Sequence, residues 1–179
     1  MGKIYYVMGK SASGKDTIYK RLVKKMPELG TVRMYTTRPI RDGETNGVEY
    51  IFTDEKQLQA MKDAGKVIEC RTYDTIYGPW SYFTADDGQI DLGSCSYLMM
   101  GTLESYEGLC KYYGAEVMVP LYIHVEDGVR LQRALNRENT QKNPKYAEMC
   151  RRFLADEKDF SKERLDQCGI RKQYENTGL

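Results

Sequence analysis

Gly9-Lys10-Ser11-Ala12-Ser13-Gly14-Lys15-Asp16-Thr17 decides how this chain is read. An apolar run, Ile4-Tyr5-Tyr6-Val7-Met8, leads directly into it, and a helical pattern over residues 17–26 follows. A strand, a glycine-bounded loop carrying a lysine, then a helix is the setting in which such a loop binds phosphate. Glycines let the backbone curl so that successive N–H groups face phosphate oxygens. The helix N-terminus adds positive potential, and Lys15 brings a mobile full charge. The competing reading is a plain glycine turn capping a helix; the placement straight after a strand favours nucleotide phosphate. Asp16 stands where a Mg²⁺-holding Ser or Thr is usual, with Thr17 beside it. A carboxylate is also a hard oxygen ligand, so Asp16 is the candidate metal residue, against the alternative of a helix-capping acid.

Composition bounds the rest. The 179 residues suffice for one domain with a sizeable core. Lys+Arg number 27 and Asp+Glu 26, a balance that argues against a general nucleic-acid or membrane surface. No apolar run reaches membrane-spanning length, and phosphate-loop residues stand where an apolar leader would lie, so a cytoplasmic protein is expected. The cysteines, Cys70, Cys95, Cys110, Cys150 and Cys168, form no CxxC pair and read as reduced thiols. His124 lies in an apolar run and reads as a strand residue with a satisfied ring.

Strands and helices alternate, which predicts an α/β fold with a parallel sheet flanked by helices. Strands are expected at residues 3–8, 31–35, 97–101, 119–125 and near 169–174. Helices are expected at 103–113, 127–136 and 145–160. The middle breaks the alternation. Residues 48–53, 67–73 and 77–84 read as strands of a small, mostly antiparallel insert, with a helix over 54–64 capped by Asp54 or Thr53. The expectation is one domain: a core over 1–32 and 86–179, an insert over about 33–85, and a polar segment over about 137–145 acting as a mobile cover.

The insert holds a second constellation, Thr36-Thr37-Arg38-Pro39-Ile40-Arg41-Asp42-Gly43-Glu44-Thr45-Asn46-Gly47-Val48-Glu49-Tyr50. Two arginines three apart near glycine turns can grip one phosphate from two directions. Tyr50 and Tyr77 can add hydroxyl donors. Alone, such arginines read as a solvated face; beside a phosphate loop they imply a second phosphorylated substrate.

TTRxxRxGExNGxxY, followed by Ile68-Glu69 and Tyr77-Gly78, resembles guanylate kinase, and the resemblance runs from Met8 to about Arg152. It implies a core that binds ATP, an insert that binds GMP, a lid that closes over both, and the reaction ATP + GMP giving ADP + GDP with Mg²⁺. It implies that Gly9 to Thr17, with Lys15 foremost, hold ATP phosphates, and that the segment at Asn176 lies beside adenine. Arg38, Arg41, Tyr50 and Tyr77 match groups that hold the GMP phosphate. Glu69 matches the carboxylate that accepts guanine's N1–H and 2-amino donors. Arg133, Arg137 and Arg152 match arginines that neutralise the phosphoryl group in flight, with Arg151 an alternative to Arg152.

The chain departs from that pattern at several positions. Met34 and Pro79 replace two serines near the base, and Trp80 follows Pro79. The family's acidic pair on the strand after the insert falls at Met100 and Thr102, with Glu104 the nearest downstream acid. The family's last helix has no counterpart in residues 174–179. Three readings follow. One is a guanylate kinase with altered base contacts. Another is a kinase of the same fold with a different phosphorylated acceptor. The third is a non-catalytic module that binds phosphopeptides. Retained Glu69 favours the first, and the intact Lys15 and arginines weigh against the third.

Overall fold

The computed structural model describes residues 1–75 and 78–178. The chain runs β1 (Ile4–Met8), α1 (Lys15–Lys25), β2 (Gly30–Thr31), β3 (Tyr35–Thr36), β4 (Ile51–Phe52), α2 (Glu55–Asp63), β5 (Val67–Thr75), β6 (Gly78–Ala85), β7 (Tyr97–Met100), α3 (Leu103–Tyr113), β8 (Met118–His124), α4 (Asp127–Asn139), α5 (Tyr146–Asp159), α6 (Lys162–Gln167) and β9 (Gln173–Glu175). One sheet has the order β2-β7-β1-β8-β9, with β2 parallel to β7 and β8 parallel to β9. A parallel strand is covered on both faces, which is why β1 is apolar almost throughout: Ile4, Tyr6, Val7 and Met8 are all fully buried. A second sheet has the order β4-β3-β6-β5, antiparallel at β3–β6 and β5–β6 and parallel at β3–β4.

Two compact units emerge from these elements. Met1–Ile4, Glu28–Leu98 and Glu104–Met118 form one; Tyr5–Pro27, Met99–Leu103 and Val119–Leu179 form the other. The first holds a core of Leu58, Phe83 and Ala85, with Tyr35 stacked on Phe83 at 5.0 Å. Helix α2 supplies Leu58 and is capped by Asp54, whose carboxylate accepts from Gln57 N. In the second unit, Tyr122 of β8 stacks on Phe160 at 5.5 Å. His124, at the end of β8, places Nδ1 within 2.9 Å of both carboxylate oxygens of Glu175.

Several expected boundaries shift. The strand expected over 31–35 is two strands in two sheets, because the side-chain amide of Gln89 takes the backbone between them. Its Oε1 accepts from Arg33 N at 2.8 Å and its Nε2 donates to Arg33 O at 3.1 Å, so the ladder is interrupted. Helix α4 continues to Asn139, three residues past the expected end. The last strand is shorter and later than expected. Before it lies α6, which the sequence pattern did not suggest. Ser161 caps its start, and Gly169, at φ 70, ends it in a left-handed turn.

Candidate active site

The phosphate loop belongs to the second unit, and its shape follows from three small residues. Gly9 lies so close to β8 that a Cβ there would stand 2.6 Å from Ile123 O and 2.8 Å from Ser13 Oγ. Ala12 at φ 61 and Gly14 at φ 82 both take left-handed conformations. Alternation of that kind turns successive N–H groups to one side, which makes an anion nest. Gly14 is also the N-cap of α1, so the helix begins at Lys15. Lys15 Nζ lies 3.6 Å from Asp16 Oδ2. The Asp16 side chain is 67% exposed, and Thr17 is exposed beside it in the first turn of α1.

The loop is braced from behind. Lys10 turns away from the nest, with Nζ 2.7 Å from Glu157 Oε1 and 3.4 Å from Asp127 Oδ1. Ser11 N donates to Asp156 Oδ2 at 2.7 Å. Arg130, 1% exposed, sits among these groups. Its Nη1 donates to Ser11 O at 3.1 Å, and its Nη2 meets Asp127 Oδ1 at 2.8 Å and Glu157 Oε1 at 2.7 Å. Burial works against the charge of Asp127, yet hydrogen bonds from Arg130 and the charge of Lys10 hold its carboxyl below the usual range. Sequence reasoning missed Arg130. The visible signal was the spacing Asp127-x-x-Arg130, which puts both on one helix face.

The other cations of this unit fall at distinct places. Arg152 Nη2 donates to Ser11 Oγ at 3.2 Å, whereas Arg151 is engaged with Glu148 through two bonds of 2.7 Å. Arg133 Nη2 donates to Asn176 O at 3.3 Å, and its buried Nη1 has no hydrogen-bond partner among the described residues. Asn176 Nδ2 donates to Ser13 O at 2.8 Å, tying the segment after β9 to the loop. Arg137 is exposed in the last turn of α4. Beyond it, the turn into α5 is held by Glu138, which accepts from Lys145 N at 2.9 Å.

The residues expected on the acceptor side belong to the first unit. Thr36 and Thr37 fix the loop after β3 against β6: Thr36 Oγ1 donates to Ser81 O at 2.9 Å, and Ser81 N donates to Thr37 Oγ1 at 2.9 Å. Arg38 is 3% exposed and forms a fork with Glu44, both bonds 2.8 Å. Its guanidinium also lies over the rings of Tyr50 (5.5 Å) and Phe52 (5.3 Å). The Arg38 bonds pull the Glu44 carboxyl from its ordinary 4.5 down to about 2 and raise Arg38 in turn. Glu44 Oε2 accepts from Arg41 N as well, at 2.9 Å, while the Arg41 side chain stays exposed. Glu44 was not among the expected site residues, although it organises both arginines. Tyr77 lies outside the described residues.

Glu69, 8% exposed, sits on β5 directly across from Thr84 of β6. Thr84 Oγ1 donates to Glu69 Oε1 at 2.7 Å, and Arg71 Nε donates to Oε2 at 3.0 Å. Met34 lies near the other end of that guanidinium, with Sδ 3.7 Å from Arg71 Nη2. Pro79 is near the start of β6, opposite Asp74.

The guanylate kinase family model matches residues 1–81, which include the phosphate loop, the whole arginine motif and Glu69. By sequence, residues 1–81 are similar to the guanylate kinase family. Among similar proteins, guanylate kinase of Legionella pneumophila is 37% identical over 78 residues, 43% of this chain and 37% of the relative. Guanylate kinase of Coxiella burnetii is 37% identical over 76 residues, 42% of this chain and 37% of the relative. The chain therefore spans about 37% of the length of these curated relatives. A solved guanylate kinase from Anaplasma phagocytophilum superposes with a TM-score of 0.63 at 14% identity, over 99% of this chain and 78% of the other. The guanylate kinase fold thus extends through residues 82–179, where the sequence model no longer matches.

The site residues are compatible with Mg²⁺. The ion demands few protein ligands when it rides on phosphates, because one or two carboxylates and waters complete its octahedron. Among the described residues no cluster of three His, Cys, Asp or Glu side chains forms a metal cage. Asp16, an exposed carboxylate one residue after the loop lysine, fits the lesser requirement. Among the described residues, no helix is long and apolar enough to cross a membrane.

Proposed function

We propose that this protein phosphorylates a nucleoside monophosphate, GMP before others, with ATP as donor. The observation that carries the reading is the family match over residues 1–81, since it includes the phosphate loop, Arg38, Arg41 and Glu69 in one continuous segment. Phosphoryl transfer asks little covalent chemistry of a protein, so positioning and charge stabilisation do the catalysis. The left-handed turns at Ala12 and Gly14 orient amides for donor phosphates, and Lys15 adds a mobile charge. The buried Arg133 Nη1, which has no hydrogen-bond partner among the described residues, supports a role in meeting negative charge, and Arg137 and Arg152 add to it. Bound with the phosphates, Mg²⁺ would supply charge neutralisation, and Asp16 is the residue that would help to hold it.

On the acceptor side, Arg41 offers an exposed guanidinium to the monophosphate, while Arg38, Tyr50 and Tyr77 complete the anion clamp. Glu69 reads the base. Residues 33–85 act as the acceptor-binding insert and 137–145 as the lid, whose closure excludes water and limits ATP hydrolysis. The substrates are small nucleotides, and the setting is cytoplasmic, with no nucleic-acid polymer or membrane as partner. A second reading, the same fold with another phosphorylated acceptor, is favoured by Met34 and by the engagement of Glu69 with Arg71 and Thr84. An ADP-release assay over a panel of nucleoside monophosphates and sugar phosphates decides. The proposal expects GMP to be the best acceptor; a panel in which GMP is inert overturns it.

A further inference from the structure

We infer that Arg71 determines base choice by presenting a hydrogen-bond donor beside the Glu69 carboxylate; this rests on the GMP reading above. Glu69 and Arg71 are two residues apart on β5, so they share one face of the strand, just after the register irregularity at Val67/Glu69. Both are nearly buried, 8% and 6% exposed. Glu69 is held from several sides. Thr84 donates to one oxygen, Arg71 Nε to the other, and a Cβ at Gly108 of α3 would stand 2.5 Å from Glu69 Cβ. The carboxylate plane is therefore fixed before any ligand arrives. A carboxylate has about four lone-pair sites, so one engaged bond on each oxygen leaves each able to accept once more.

The arginine contributes the third element. Its Nη2 faces Met34 Sδ at 3.7 Å. Thioether sulfur is a weak acceptor, readily exchanged for a carbonyl oxygen. Read along one edge, the pair offers donor, acceptor, acceptor. Guanine offers the complement: the O6 acceptor, the N1–H donor and the 2-amino donor. Adenine sets its 6-amino donor against the guanidinium and its N1 lone pair against the carboxylate, two mismatches in a poorly hydrated place. Uracil sets O2 against a carboxylate oxygen. A purely structural Arg71 would neutralise Glu69 and be indifferent to the atom at position 6.

The test compares GMP, 6-thio-GMP and IMP as acceptors for the parent protein and for Arg71→Ala. Sulfur at position 6 weakens the acceptor that Arg71 reads; IMP lacks the 2-amino group that Glu69 reads. Arg71→Ala is expected to lower kcat/KM for GMP by about 10- to 100-fold, mainly through KM. It erases the preference for GMP over 6-thio-GMP and leaves both the preference for GMP over IMP and the KM for ATP unchanged. Met34→Ser in the Arg71→Ala background is expected to restore part of the GMP over 6-thio-GMP preference, because a hydroxyl donor returns to that end. If Arg71→Ala fails to fold, Arg71→Gln, which keeps length and an amide donor, carries the same comparison with an intermediate loss. Equal losses for GMP and 6-thio-GMP, or no loss, overturn the inference and leave the GMP kinase reading standing. A parent protein inert toward GMP overturns both.

Discussion

Lys15 pairs with an exposed neighbour, Asp16 at 3.6 Å, a surface contact that contributes little to the fold and leaves the ammonium available to phosphate. Lys15→Ala is therefore expected to slow transfer by about a hundred- to a thousandfold, roughly 3–4 kcal/mol of barrier, while the thermal midpoint moves by less than about 2 °C. Steady-state kinetics with a melting curve checks both; activity within a few-fold of the parent contradicts the loop assignment. Asp16 gives a second test. A negative charge beside donor phosphates is unfavourable unless a divalent ion lies between them. Asp16→Asn is expected to raise the Mg²⁺ concentration for half-maximal rate, and Asp16→Ser to recover part of it; superimposable Mg²⁺ titrations would leave Asp16 as a helix-start acid only. Glu69→Gln is expected to narrow discrimination between GMP and AMP, read as a ratio of kcat/KM values, because an amide cannot accept both guanine donors. At this scale the sequence revealed the groups but not their partners. Motif spacing picked out Arg38 and the family resemblance picked out Glu69, whereas Thr84, Arg71 and Glu44 meet them through strand register and a loop turn that spacing alone does not specify.

The loop between β3 and β4 behaves as an element organised by one carboxylate. Glu44 joins Arg38 and the backbone of Arg41, and its folded value near 2 lies below the ordinary 4.5. The pairing therefore contributes stability in full above about pH 4.5 and loses it as pH falls toward about 2. The stability gap between the parent and Glu44→Gln is expected to shrink across that window, measured by urea unfolding at a series of pH values; a constant gap contradicts the pairing. The two arginines are expected to separate. Arg38→Ala strips a buried cation from Glu44 and is expected to cost about 3 kcal/mol of stability as well as acceptor affinity. Arg41→Ala, exposed, is expected to weaken the monophosphate and leave stability within about 0.5 kcal/mol. Titration with ATP, whose affinity is expected to hold in Arg41→Ala, completes the comparison. Elements with a strong period or cap were legible, α2 with its Asp54 cap and the apolar β1 among them. The break between β2 and β3 was not, since a side chain 56 residues away, Gln89, supplies the bonds that interrupt the strand.

The sequence model of the family stops at residue 81, yet the structural likeness covers 99% of the chain. In the later half, the buried Arg130 ties α4 to Ser11 of the phosphate loop and to Glu157 of α5. Arg130→Met keeps bulk against Phe153 but releases Ser11 O, Asp127 and Glu157. Because both carboxylates are partly solvated, the expected loss is moderate, about 2 kcal/mol, with a rise in the KM for ATP as the loop loosens. Transfer between two nucleotides is followed at the phosphorus atoms themselves by ³¹P NMR of ATP and GMP mixed in equal amounts with the protein and Mg²⁺. ADP and GDP resonances are expected to grow together, in equal amounts and without inorganic phosphate, and Lys15→Ala to slow both by about a hundred- to a thousandfold. ADP appearing with inorganic phosphate while GMP stays intact, or no turnover of either nucleotide, would contradict that transfer.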